Sequence, residues 1–407
     1  MVEKTTEIPV LDSHQHLGPE EPVVTDLCRL MVNDNYLATD LVSAGMDTTT
    51  MKCIADTSIP LSKRWDLLFP LWQKVKYGSY AQAELVTLRD LYGMDEMSGS
   101  KVIGVSKRLS HDFQTPGLFR RVLWKKCGIK VVLTQGGYFH HENPVFFNVS
   151  RPLDRADFSS GGTFEDDAHK VGVNIQTVDD LVPAMDALLR HHSSQGAVGF
   201  KIAALPWSEP SSRELKMAFS HREQKITNPY TTTNPLIRLY VSRIATLAEE
   251  LNLTVAVHTG APWTNWLDYR IWEPTSLIPL FSCFRNTRFD LYHAGIPYGT
   301  QASLLAKVFP NVWHNLTWAH IISPELAMRS IAEWLDLVPL NKVLGFGGDY
   351  TNETVILTYG HLMIARTNLC RVLSYRVKCG QMEEEDVLRV LKSWLYENPY
   401  QLYRMGR

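Results

Sequence analysis

Six cysteines are scattered over 407 residues with no Cys-x-x-Cys among them, and no apolar run approaches the length needed to span a bilayer. A disulfide framework and a membrane-embedded chain are both excluded. A preponderance of one charge is also missing, because 41 basic residues face 43 acidic ones. Such a balance gives no basic field for nucleic acid and no polybasic patch for a lipid surface, so a small-molecule partner is expected. The opening Met1-Val-Glu-Lys-Thr-Thr-Glu7 holds no apolar signal core, and a reduced, cytoplasmic protein is the expectation. No internal repeat or low-complexity segment stands out.

The apolar run Ile8-Pro-Val-Leu-Asp-Ser-His-Gln-His-Leu17 carries the first chemical signal. Side chains two apart on a strand share a face, so His14 and His16 present two imidazoles to one point. Four further runs end in groups that bind metals or move protons. They are Ala197-Val-Gly-Phe-Lys201, Leu253-Thr-Val-Ala-Val-His258, Arg288-Phe-Asp-Leu-Tyr-His293 and Lys342-Val-Leu-Gly-Phe-Gly-Gly-Asp349. Each is short and β-branched or aromatic with a turn signal behind it, as expected of a buried strand.

Further strands are read at 128–134, 145–149 and 311–317. Helical periodicity with good caps marks Thr177–His192, Asn234–Asn252, Pro324–Leu335 and the stretch from Glu353 onward. Eight strands alternating with helices predict an α/β fold of the (β/α)₈ TIM-barrel class, whose chemistry sits at the C-terminal ends of the strands. His14, His16, Lys201, His258, His293 and Asp349 then all point at one mouth. A bare barrel needs about 250 residues. Most of the excess falls at 19–126, which is expected to be a helical cap inserted between strands 1 and 2 of a single 1–407 domain. Asp12, facing the same way as His14, is expected to orient a ligand or satisfy loop amides.

A strand-1 His-x-His, a strand-4 Lys, single histidines ending strands 5 and 6 and an Asp ending strand 8 together resemble the amidohydrolase superfamily of metal-dependent barrels. Asp12-Ser-His-Gln-His16, Val257-His-Thr-Gly260 and Gly345-Phe-Gly-Gly-Asp349 are its most specific pieces. The tail from Tyr359-Gly-His-Leu to Glu397-Asn-Pro is similar to the branch near the uronate isomerases, which also carries a long helical insertion after strand 1. The resemblance implies a divalent metal, Zn²⁺ by donor type, held by His14, His16, His258 and Asp349. One ion is expected, and a second only if Lys201 is carboxylated, with His293 as a ligand to it. Otherwise Lys201 remains a cation for a substrate anion and His293 an acid or electrophile facing the substrate.

The implied activity is hydrolysis of an amide, ester or lactone bond in a small anionic molecule, with Asp349 as proton carrier beside an activated water. Isomerisation of a sugar acid and nonoxidative decarboxylation are the alternatives on the same residues, and a degenerate binding barrel is disfavoured by the intact ligand set. His258 is followed by Thr-Gly-Ala-Pro-Trp where a nucleoside deaminase would place a Glu. Lys201 is followed by Ile-Ala-Ala-Leu-Pro-Trp where a close uronate isomerase would place Tyr and Arg. Substrate contacts are expected from loop residues Trp207, Trp263, Arg270 and Tyr298, with Tyr138, His140 and His141 in loop 2, because rings stack on aromatics while Arg grips carboxylates. Barrels of this size often pair through helices, so a homo-oligomer is expected.

Overall fold

The fold is that of a computed structural model, which describes residues 5–135, 146–150, 163–221, 234–262 and 264–405, with the backbone alone for 146–150 and 163–164. Eight parallel strands follow one another around a sheet in chain order: β1 (Val10–Gln15), β2 (Ile129–Gln135), β3 (Phe146–Ser150), β4 (Gly199–Ala203), β5 (Thr254–His258), β6 (Arg288–Leu291), β7 (Val312–Asn315) and β8 (Val343–Leu344). The ring closes between its last and first members. Ser13 N donates to the Phe346 carbonyl at 3.2 Å, Asp349 N donates to the His14 carbonyl at 2.8 Å, and His16 bridges Thr351 in parallel. The chain is therefore an eight-stranded TIM barrel, as the strand count predicts.

Alternation along the strands fills the interior with Leu11, Val131, Leu133, Ala256, Tyr292 and Leu344. Leu402 and Tyr403 join them from the C-terminal segment, which closes the floor. The outer helices begin where side chains cap them: Asn234 accepts from Leu236 N ahead of Pro235, and Ser323 accepts from Leu326 N ahead of Pro324.

Between β1 and β2 the chain folds into six α-helices, α1 (Leu27–Asn33), α2 (Asn35–Ser43), α3 (Thr48–Ala55), α4 (Leu61–Val75), α5 (Ser79–Tyr92) and α6 (Gly99–Gln114), followed by a π-helical stretch at Arg120–Lys126. They are tied to the barrel wall, since Thr87 Oγ1 accepts from Gly360 N at 3.0 Å and Ser79 Oγ donates to the Ile322 carbonyl at 3.1 Å. Asp34 serves two helices at once. Its backbone N–H closes α1 onto the Leu30 carbonyl, and its carboxylate accepts from Tyr36 N to start α2. Among the described residues no helix is long and apolar enough to cross a membrane.

Candidate metal centre and cavity

The seam between β1 and the chain after β8 builds the centre of the site. Asp12 is fully buried and accepts from Gly348 N at 2.9 Å, Gln15 Nε2 at 2.6 Å and His14 N at 3.2 Å. Gln15 Oε1 in turn accepts from Tyr350 N at 2.7 Å. This zipper leaves no room beside it: a Cβ on Gly347 would lie 2.1 Å from Thr317 Oγ1, and one on Gly348 2.1 Å from Gln15 Nε2. The glycine pair lets the chain press against its neighbours and then turn at Asp349, whose φ of 63° is left-handed. Left-handed backbone recurs around the mouth at His293 and Trp318, both non-glycine positions, a clustering common at functional sites.

As a result His14 Nε2 and His16 Nε2 stand 3.2 and 3.0 Å from Asp349 Oδ1. The donor atoms of these three groups all lie within 4.8 Å of one another. Burial, reinforced by the Lys201 charge, holds His14 well below the usual imidazole range, so it stands neutral. Burial alone would raise the Asp349 carboxyl, yet the two imidazoles outweigh it and hold the group well below the carboxylate range. Two imidazole nitrogens and an anionic oxygen gathered at one point are the donor types that a divalent cation takes. His14 Nδ1 is buried without a hydrogen-bond partner among the described residues. The donor set fits a divalent metal.

Lys201 lies inside β4, which runs on to Ala203, and not at the strand's end. It is almost wholly buried, with Nζ 3.2 Å from His14 Nε2 and 4.1 Å above the Tyr292 ring. That ring also packs against His14 at 5.0 Å between centroids. Tyr292 thus packs against both Lys201 and His14.

His258, the fourth expected ligand, stands beside the close group of the other three. Its Nδ1 lies 2.9 Å from His293 Nε2 and its Nε2 3.1 Å from the Ala261 carbonyl, while the ring packs edge-on against Trp272. These contacts hold it outside the group formed by His14, His16 and Asp349, although it lines the same cavity. His293 differs too. It is fully buried behind His258 and donates or accepts at both nitrogens, with Nδ1 2.9 Å from the Thr317 carbonyl. The cause is local: β6 ends at Leu291, and the left-handed turn at His293 and Ala294 swings the ring inward. Burial lowers its pKa from 6.5 to about 4, so it is neutral at physiological pH.

A cavity of about 180 Å³ opens over the centre, lined by His14, His16, Lys201, His258, Trp318, Asp349, Tyr350, Thr351 and Thr354, and by Asp34, Asn35 and Tyr36 from the helical insertion. Tyr36 Oη donates to the Asp349 carbonyl, and its ring stacks on Trp318 at 4.6 Å. Among the described residues, the loop positions expected to touch substrate, Trp207, Arg270 and Tyr298, are not in the lining. Trp207 is buried against Phe284 with its indole N–H donated to the Arg238 carbonyl, so it is a packing residue. Arg270 is exposed and forked onto Asp268 two residues away, which spends its guanidinium locally. Tyr298 packs beside Tyr269 at 6.3 Å, outside the cavity. Trp263, Tyr138, His140 and His141 fall outside the described residues. Arg366, on the helix Thr358–Lys378, is buried at the opposite end, donating to the Ile8 and Cys127 carbonyls. The N-cap signal Asn33-Asp-Asn-Tyr36 was there to be read as a helix start, but nothing in it announces proximity to Asp349.

The amidohydrolase family profile matches residues 163–405, more than half of the chain. The chain belongs to the amidohydrolase family. Among curated proteins this amidohydrolase is similar to Protein fluG of Emericella nidulans, 24% identical over 210 residues that make up 49% of this chain and 24% of that protein. It thus spans about a quarter of the length of the curated relative it matches. Among solved structures it is similar in fold to a glucuronate isomerase from Caulobacter crescentus, at TM-score 0.78 and 16% identity, covering 99% of this chain and 92% of that one. A Lactobacillus casei protein described as a metal-dependent hydrolase aligns at TM-score 0.71 and 16% identity over 100% and 98% of the two chains. At these identities the likeness concerns the fold.

Proposed function

We propose that this amidohydrolase is a metal-dependent hydrolase that cleaves an amide, ester or lactone bond of a small anionic molecule. The observation that carries the reading is the convergence of His14 Nε2 and His16 Nε2 on Asp349 Oδ1, at 3.2 and 3.0 Å, under an open cavity. Those three residues would hold one divalent ion, Zn²⁺ by donor type, which when bound supplies charge to polarise a carbonyl and to acidify water. Asp349 stays anionic beside two imidazoles and so takes a proton from the attacking water and returns it to the leaving atom. Lys201 brings a positive charge to the cavity floor, where it draws in and orients a substrate anion. A second ion is disfavoured because both nitrogens of His293 are engaged by Thr317 and His258.

Metal analysis combined with turnover in H₂¹⁸O tests the reading. We expect one ion per chain, loss of activity on chelation, and one ¹⁸O in the product from a panel of amides, esters and lactones bearing a carboxylate. Interconversion of a hexuronate with its keto isomer, or loss of CO₂ from an acid, without ¹⁸O entering the product would replace hydrolysis by isomerisation or decarboxylation.

A further inference from the structure

A buried line of hydrogen bonds runs from the C-terminal segment to β1. Tyr403 Oη donates to Asp290 Oδ2 at 2.7 Å. Asn315 Nδ2 donates to the same oxygen at 2.9 Å and to Ser13 Oγ at 3.0 Å, and Ser13 Oγ donates to the Phe346 carbonyl at 2.7 Å. Thr317 N can only donate and lies 2.9 Å from Asn315 Oδ1, which turns the Asn315 nitrogen toward Asp290 and Ser13. Its two N–H groups then match two acceptors.

Packing alone does not call for this line. Leu11, Val131, Leu133 and Leu344 fill the same barrel interior with apolar groups. Ser13, Asp290 and Asn315 are fully buried and Tyr403 nearly so, and Asp290 Oδ1 has no hydrogen-bond partner among the described residues. A carboxyl and an amide in such surroundings cost free energy, and apolar groups of the same volume often leave a protein as stable or more so. What apolar filling cannot supply is a fixed direction at Ser13.

We infer that Tyr403, Asp290 and Asn315 are positioning residues of the metal centre, acting on His14 through Ser13. None of the three supplies a ligand. Ser13 immediately precedes His14, and each of its polar groups is engaged: N and Oγ both donate to the Phe346 carbonyl, and its own carbonyl accepts from Tyr292 Oη at 3.0 Å. The Tyr292 ring in turn packs on His14. Phe346 leads through the crowded glycine pair into Asp349. Holding Ser13 against Phe346 therefore sets the ligands of β1 against the ligand that follows β8, and the far end of the chain takes part in doing so. The inference rests on reading His14, His16 and Asp349 as metal ligands, whereas the clamp of Ser13 on Phe346 does not.

The test uses the full chain with Zn²⁺ or Co²⁺ alone as the probe. Tyr403→Phe cuts the line at its far end, and Asp290→Asn keeps an acceptor there without the charge. Thr254→Val cuts a separate bond, from Thr254 Oγ1 to the Leu402 carbonyl at 2.8 Å, that ties the same segment to β5. Tyr403→Phe should weaken zinc by about 3- to 10-fold, at or below the low end of what losing an outer partner of a metal site costs, and should shift the visible absorption of bound Co²⁺. Asp290→Asn and Thr254→Val should keep the wild-type absorption and affinity, whatever they lose in melting temperature. In the zinc-free protein the Ser13 and Asp349 amides should exchange with deuterium faster in Tyr403→Phe than in Thr254→Val. Wild-type absorption and affinity in Tyr403→Phe, or an equal change in Thr254→Val, would overturn the inference by leaving the line a matter of stability. A change in Asp290→Asn as large as that in Tyr403→Phe would overturn it by assigning the effect to charge. Failure of the wild type to bind either metal would instead sink the metal reading, while the zinc-free exchange rates would still decide whether the line holds Ser13 against Phe346.

Discussion

Replacing Asp349 by Asn separates the pairing within the empty site from the gain of filling it. In the wild type a buried carboxylate sits 3.0 to 3.2 Å from two imidazole nitrogens, one of them neutral through burial. Asn keeps the shape but gives up the pairing that holds the Asp349 carboxyl below its ordinary range, so the zinc-free variant should melt at or below the wild-type temperature. The gain from metal falls as well. A ligand that binds only the folded state adds RT ln(1 + [L]/Kd), about 2.7 kcal/mol at a free concentration of 100 Kd. Losing an outer partner of a metal site alone costs roughly 10- to 100-fold in affinity, and losing the one carboxylate ligand should cost at least about 100-fold. At the same zinc concentration the gain then falls to about 0.4 kcal/mol, a loss of about 2.3 kcal/mol. Thermal melts of both proteins with chelator and with buffered zinc read both terms. Equal zinc-induced stabilisation of Asp349→Asn and wild type would refute the assignment of Asp349 as a ligand.

Two further variants probe the frame and its pH response. A Cβ on Gly360 would lie 2.0 Å from the Ala83 carbonyl and 2.6 Å from Thr87 Oγ1, so Gly360→Ala should wedge α5 from the barrel and lower stability by about 1–3 kcal/mol or more in denaturant melts. His314 is fully buried, stacked on Trp334 at 4.8 Å, and burial lowers its pKa from 6.5 to about 3. The unfolded chain protonates this ring below pH 6.5 while the folded protein does not, so its contribution to stability is lost as pH falls from 6.5 toward 3. Relative to wild type, His314→Leu should therefore gain about 2 kcal/mol between pH 7.5 and pH 5, and an unchanged difference across that range would show that the ring already carries a proton when folded.

The parts of the site that could be read in the sequence are those set by local geometry. A period of two aligns His14 with His16, and the glycine run before Asp349 announces close packing at the end of β8. Strand spacing likewise was enough to predict the barrel, because each strand carries its own apolar signature and turn. Ring orientation was beyond that reach. His258 ends β5 as expected and His293 lies two residues past β6, yet which way each imidazole faces depends on a left-handed turn at 293 and on Trp272 packing from another segment. Trp207 and Arg270 show the converse, since their loops lie near the mouth in sequence order while their polar groups are satisfied by Arg238 and Asp268.

Tyr36 marks the limit most sharply. It meets Asp349 across 313 residues of chain, through an insertion whose own pattern records only helix starts and an apolar face. Asp34 caps the helix that delivers Tyr36, and its carboxyl is raised to about 7, first by burial. A capping carboxylate on a solvated loop would pay no such desolvation cost. Its burial beside the cavity means that the helix start has been recruited into the wall, so the insertion defines the far side of the substrate space as well as covering the barrel. Variation at Asn35, which lines the cavity, should alter which substrates enter without disturbing His14, His16 and Asp349, because the donor groups are held by the seam of β1 with the chain after β8 and take no side-chain ligand from the insertion.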